Sequence, residues 1–113
     1  MLKPCKIVKF SKELDQLFNA MKEASKEKRW LLDMRAMLLE DMYRGNRFEK
    51  YRIPPYYLVN YGVHNLYRYP HPEDYRSMYT IKNEGTEEGG YPLVIDFMPH
   101  NEYEKRFGYD HKR

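Results

Sequence analysis

The residues of this chain whose types could do chemistry are arginines and histidines, and they gather in Val63 to Ile81, V-H-N-L-Y-R-Y-P-H-P-E-D-Y-R-S-M-Y-T-I. Tyr, Val, Ile and Thr in this stretch fit a pleated, half-buried surface, and Pro70, Pro72 and Asp74 interrupt it. Two strands are predicted, Val63 to Tyr69 and Tyr75 to Ile81, joined as a hairpin. With a period of two, His64, Leu66 and Arg68 share one face of the first strand, and Arg76, Met78 and Thr80 share one face of the second. The result is a wall carrying two arginines and a histidine. Arginine stays charged and grips phosphate with a rigid fork of donors, and histidine exchanges protons near neutral pH. An ordinary antiparallel pair with solvated arginines is the competing reading of the same spacing.

A second basic group lies upstream. From Asn46 to Gly62 the sequence N-R-F-E-K-Y-R-I-P-P-Y-Y-L-V-N-Y-G shows neither helical nor strand period, so a connecting loop is expected, with one short extended piece around Tyr57 to Val59. Arg47, Lys50 and Arg52 alternate there with Phe48, Tyr51, Tyr56 and Tyr57. That mixture serves phosphate contact and base stacking in single-stranded nucleic acid. A loop pinned to the domain by its aromatic side chains is the competing and commoner reading.

The elements that must position these groups follow from pattern. Lys6 to Phe10 suits a short strand. Ser11 offers an N-cap, Glu13 and Asp15 place negative charge in a first helical turn, and Leu14, Leu17, Phe18, Met21 and Ala24 follow helical spacing. A polar turn is expected over Ser25 to Arg29, then a second helix with Trp30, Leu31, Met34, Leu38 and Met42 on one stripe, ending at Gly45. The two helices should form an antiparallel hairpin. Lys82 to Gly90 is polar, acidic and glycine-rich and should be the most mobile loop. Tyr91 to Phe97 alternates as a strand buried mainly on one face and closed by Pro99. His100 to Gly108 reads as a short helix capped near Asn101, and the tail Tyr109 to Arg113 should fray.

Bulk properties bound the function. At 113 residues the chain suits a single domain spanning 1–113. Charged residues make up 33% and aromatics 16%, which fits a solvated surface around a small core. Residues 1–52 carry 13 Lys and Arg against 8 Asp and Glu, and residues 53–113 carry 7 against 9, so a net +3 hides a basic N-terminal half. Such asymmetry permits a polyanion or an acidic protein partner, and solvated helix faces produce it as well. The lone Cys5 fits a reducing compartment, and no apolar run reaches the roughly 18 residues of a membrane span, so a cytoplasmic protein without membrane insertion is expected. The sequence holds no glycine-rich phosphate loop, paired-cysteine metal spacing or nucleophile elbow, and the spacing of His64, His71, His100 and His111 suggests no metal site. No cofactor is expected.

Three stretches, N-L-Y-R (Asn65 to Arg68), D-Y-R-S-M-Y-T-I (Asp74 to Ile81) and L-V-I-D-F-M-P-H-N-E-Y (Leu93 to Tyr103), together with the order strand, helical hairpin, long loop, three strands, short helix, resemble the RelE/ParE superfamily of type II toxins. The resemblance implies an α+β fold in which an N-terminal strand and a helical hairpin pack on a twisted antiparallel sheet, followed by a short C-terminal helix. It also implies a toxin that cleaves mRNA on the ribosome without a metal and is neutralised by a cognate antitoxin. Arg76 matches the family's tyrosine-arginine position and Arg68 the arginine that ends the preceding strand. His100 stands where a late basic residue occurs, with Tyr103 shortly after. Where the RNA-cleaving branch commonly has alternate lysines, this chain has His64 and Leu66, a departure from the lysine-based mechanism that leaves two alternatives, a histidine-based variant and a member that has lost cleavage. Cleavage by the neighbouring 2′-hydroxyl needs a base, cations on the phosphate and an acid for the departing oxygen. Arg76 and Arg68 suit the cationic part, His64 and His100 the proton transfers, and Tyr103 either the acid or a base-stacking group. The alternative is a non-catalytic member that acts by binding protein, as a gyrase inhibitor or through partner interaction alone. An antitoxin would lay a helix or extended segment along the helical hairpin.

Overall fold

Both faces of the central sheet are apolar, and helices cover both. The computed structural model describes residues 2–83 and 90–108. The expected mobile loop falls mostly at 84–89 and the expected frayed tail at 109–113, outside the described residues. The chain runs through β1 (Lys9–Phe10), α1 (Lys12–Ala20), α2 (Lys26–Glu40), β2 (Asn46–Arg47), α3 (Pro55–Tyr61), β3 (Tyr67–Pro70), β4 (Tyr75–Lys82), β5 (Tyr91–Pro99) and α4 (His100–Phe107). The sheet order is β1-β5-β4-β3-β2. The architecture is therefore α+β as expected, but β1 lies parallel to β5 while the other pairs are antiparallel, so the sheet is mixed rather than antiparallel throughout.

Serine caps start both N-terminal helices. Ser11 Oγ accepts from the Leu14 N–H at 3.1 Å and donates to the Ile95 carbonyl at 2.6 Å, tying the start of α1 to the centre of the sheet. Ser25 Oγ accepts from the Lys28 N–H at 3.2 Å, so the polar run read as a turn is instead the first turn of α2. Leu14, Leu31, Met34, Leu38 and Met42 pack with Tyr67, Tyr79, Ile81 and Val94 into a core on this face. Each such side chain contributes about 1.5–3 kcal/mol on burial. Leu17, expected on the stripe, is exposed, and α1 ends before Ala24.

The second face is where the sequence reading departs most from the structure. Residues 46–62 are not a bare loop: β2 pairs with β3, a 3₁₀ turn spans Lys50–Arg52, and α3 begins on Pro55 and stops at Gly62, whose φ of 59° caps it in the left-handed region. Proline at the first helical position is pre-organised for a helix, which is why two adjacent prolines start one here. Tyr57 of α3 and Tyr103 of α4 bury themselves with Ile53, Val63, Leu66, Met78, Ile95 and Met98. A β-bulge makes this possible. Met78 pairs with Asp96 and Tyr79 with Val94, leaving Ile95 as the extra residue, so β5 buries Val94 in one core and both Ile95 and Met98 in the other. The strand is buried on both faces, not mainly on one. At its end, α4 is preceded by Pro99 as N-cap rather than Asn101.

The edge of β4 is finished by a side chain. Asn65 Oδ1 accepts from the Ile81 N–H at 2.8 Å and its Nδ2 donates to the Ile81 carbonyl at 3.1 Å, while Thr80 Oγ1 donates to the Asn65 carbonyl at 2.7 Å. Asn65 thus occupies the ladder position a strand backbone would take, and regular pairing starts only at Tyr67. Farther along, Glu73 and Asp74 turn the hairpin with φ of 60° and 63°, and Lys26 of α2 pairs with Glu73 at 2.8 Å. On the helical-hairpin face, His71 is buried against Tyr69 and Phe97 and hydrogen-bonds with Ser77 Oγ at 2.8 Å.

Gly45, read as a helix stop, has a different task. A Cβ there would stand 2.7 Å from the Arg68 carbonyl and 2.9 Å from the Tyr79 ring, and the Gly45 N–H donates to the Tyr79 hydroxyl at 2.9 Å. Because the facing oxygen belongs to the backbone of β3, it cannot yield as a side chain would. Gly45→Ala should therefore cost about 1–3 kcal/mol, the range for overpacking a fitted site, read as a lower urea midpoint with unchanged slope.

Candidate functional site

Three elements meet at one end of the second face. Arg68 stands on β3, and Arg76 stands at the start of β4, opposite Pro70 on one side and Met98 on the other. β5 then runs directly into α4, whose first residue is His100, so His100, Tyr103 and Glu104 share one side of that helix. Tyr103 is the floor of the site and is only 3% exposed. The Arg76 guanidinium carbon lies 4.6 Å from the centre of its ring and that of Arg68 5.8 Å. Two like charges are thereby held near one aromatic ring, which favours each of them. Arg68 Nη1 donates to the Tyr103 hydroxyl at 3.3 Å.

His100 lies between an arginine and a glutamate. Its Nδ1 is hydrogen-bonded to Arg76 Nη1, and its Nε2 lies 2.8 Å from Glu104 Oε2. The Nε atoms of Arg68 and Arg76 are buried without a hydrogen-bond partner among the described residues. An unmade bond of that kind costs about 1–3 kcal/mol. No group of three or more His, Cys, Asp or Glu side chains among the described residues is placed to hold a metal ion.

The basic residues of the upstream segment divide between two clefts. Arg47 and Arg52 line a cleft of about 420 Å³ with Asn46, Phe48, Glu49, Arg68 and Tyr103, so they continue the Arg68 end of the site. Lys50 lines a neighbouring cleft of about 360 Å³ with His64, Asn65 and Ile53, and Arg47, Phe48 and Glu49 border both. The structure thus brings Arg68, Arg76, His100 and Tyr103 together and leaves His64 out. His64 was expected on the wall beside Leu66 and Arg68. Because Asn65 fills the ladder position with its side chain, the chain is not a strand there, and His64 is an exposed residue of the adjoining cleft.

The sequence reading missed Glu104, which is visible as the i+4 partner of His100, and a partly buried triad that anchors α4. Asp96 Oδ2 accepts from the Tyr57 hydroxyl at 3.0 Å and from Arg106 Nη1 at 3.0 Å, which joins β5, α3 and α4. A lone aspartate inside the apolar run Leu93 to Met98 is the sequence signal of such a buried, partnered carboxylate. Burial pushes Asp96 up to about 6, against the opposing pull of Tyr57, Arg106 and the Met78 N–H. Tyr57 is pushed up in turn by its own burial and by Asp96.

Asp96 and the buried His71 titrate in the same window with opposite effects on stability. The folded carboxyl of Asp96 holds its proton up to about 6 against an ordinary 3.8, so its contribution grows as the pH falls through that window. Burial lowers His71 from 6.5 to about 4, so the folded state resists its protonation and loses stability on the same descent. Between pH 7 and pH 5, Asp96→Asn should therefore lose about 1–2 kcal/mol more than the wild type. His71→Gln should lose about 1–2 kcal/mol less. Urea unfolding at the two pH values measures both, and parallel behaviour of all three proteins would contradict the sign and the assignment.

Compared with known proteins, the chain matches no family model, no curated protein and no solved structure.

Proposed function

We propose that this chain is a toxin of the RelE/ParE kind, a metal-independent endoribonuclease that acts on ribosome-associated mRNA in the cytoplasm and is held in check by an antitoxin. The observation that carries this reading is the convergence of Arg68, Arg76 and His100 on Tyr103 at the mouth of a basic cleft. The resemblance of Asn65 to Arg68, Asp74 to Ile81 and Leu93 to Tyr103 to that superfamily supports it.

The chemistry follows from the groups present. His100 takes the proton of the 2′-hydroxyl, whose oxygen attacks the adjacent phosphorus. Arg76 and Arg68 neutralise the charge that develops on the phosphate oxygens. The bond from phosphorus to the 5′-oxygen breaks, and the Tyr103 hydroxyl beside Arg68 gives that oxygen a proton. Burial of the Tyr103 ring beneath the guanidinium groups leaves it no open face for a nucleobase, which favours the acid over the stacking role. Arg47 and Arg52 extend the phosphate path along the cleft, and Lys50 continues it into the next. Leu17 on α1 and Leu32 on α2 are exposed apolar positions that a bound antitoxin segment would cover.

A second reading, binding of a protein target without cleavage, is favoured by Tyr51 at 83% and Val59 at 81% exposure beside the exposed Leu58. No helix among the described residues is long and apolar enough to cross a membrane.

Primer extension on mRNA under translation separates the two readings. His100→Ala should lower cleavage by about 10²- to 10⁴-fold, the usual size of a general acid–base contribution, and Arg76→Ala by about 10²- to 10³-fold. His64→Ala and Lys22→Ala should stay close to wild type. A wild-type protein that stops growth without cutting mRNA, or Arg76 and His100 variants that cut normally, would replace the nuclease reading with the binding one.

A further inference from the structure

Glu104 belongs to the site although no chemistry has so far been assigned to it. Arg76 Nη1 carries only hydrogens, so the His100 nitrogen bonded to it, Nδ1, must be the acceptor. The imidazole hydrogen then sits on Nε2, which faces Glu104 Oε2 at 2.8 Å. Both neighbours therefore dictate the same tautomer. The helix that carries the pair cannot easily shift: Tyr103 is buried beneath the arginines, and Arg106 is bonded to Asp96 at 3.0 Å. His100 and Glu104 are one turn apart on it, so the ring cannot rotate without losing both bonds.

We infer that Glu104 is the positioning residue for His100, fixing the Nε2–H tautomer so that Nδ1 is the proton-accepting atom and opposing the charge that appears on the ring when it accepts. In the resting site Arg76 covers Nδ1. An arriving phosphate is a stronger acceptor for a guanidinium than an imidazole nitrogen is. Transfer of Arg76 to the phosphate uncovers the Nδ1 lone pair beside the 2′-hydroxyl. The proton then passes from that hydroxyl to Nδ1, the 2′-oxygen bonds to phosphorus, and the phosphorus–5′-oxygen bond breaks with a proton from Tyr103. The imidazolium left behind still has its Nε2–H against the Glu104 carboxylate, the arrangement in which an acidic partner orients and stabilises a histidine base. The substrate class is RNA with an intact 2′-hydroxyl at the cut position, and the inference rests on the nuclease reading.

Two substitutions and two readouts test it. Glu104→Gln keeps an acceptor oxygen but removes the charge, and Glu104→Ala removes both. With mRNA cleaved under translation, Glu104→Gln should lower kcat by about 10- to 100-fold with KM unchanged, and Glu104→Ala should lower it at least as far. His100 being half-exposed, the Nε2 proton of His100 in 15N-histidine-labelled protein without RNA should be resolved at low temperature in the wild type and in Glu104→Gln and be broadened away by exchange with water in Glu104→Ala. Thermal melts confirm that both variants are folded. Wild-type kcat in both variants, a loss confined to KM, or a ring proton that survives Glu104→Ala would overturn the assignment of Glu104 alone. A folded wild type that cuts no RNA would overturn the nuclease reading and the role of Glu104 with it.

Discussion

The structure depends on closing the second apolar face of its sheet. Leu66, Met78, Ile95 and Met98 cannot be left to water, and two short helices supply the cover, α3 with Tyr57 and α4 with Tyr103. Short helices of seven and eight residues have little stability of their own. Their place is set by the aromatic side chains they bury and by the bonds of Asp96 to Tyr57 and Arg106. Tyr103 is consequently a core residue and a site residue at once: the contact that completes the fold is the one that delivers His100 and Glu104 to the arginines of β3 and β4.

That arrangement concentrates positive charge where the chain itself provides little to balance it. Arg106 has Asp96, and Lys26 has Glu73, but among the described residues Arg68 and Arg76 have an aromatic ring, a hydroxyl and an imidazole instead of a directly paired carboxylate. Their buried Nε atoms remain unpaired among the described residues. An anion with several oxygens, held by the terminal nitrogens of the two guanidinium groups, would add the balancing charge.

The sequence made the framework legible wherever one signal dominated. Ser11 caps a helix with an apolar stripe, Tyr75 to Ile81 reads as a strand, and Gly108 ends α4 with φ of 75°. Arg68 and Arg76 were placed on one face by the period of two, and that placement needs only the β3–β4 pairing. What stayed hidden depends on single exceptions to a period. Asn65 replaces a strand's backbone with its side chain and sets His64 aside. The extra residue Ile95 moves one side chain of β5 to the other face. Pro54-Pro55 reads as an interruption, yet proline at the first helical turn and glycine at the left-handed stop mark a helix as well as a loop. Such devices act through tertiary contacts that a local pattern does not contain.

The most direct test of the account is the chemistry of the cut ends. An mRNA cleaved under translation should yield a 5′ fragment ending in a 2′,3′-cyclic phosphate and a 3′ fragment beginning with a 5′-hydroxyl, both identified by mass spectrometry. The same message with a single 2′-deoxynucleotide at the cut position should remain whole there. Fragments with a 3′-hydroxyl and a 5′-phosphate, or undiminished cutting of the deoxy-substituted message, would show that the 2′-oxygen is not the nucleophile and that the cluster on Tyr103 does not perform this reaction.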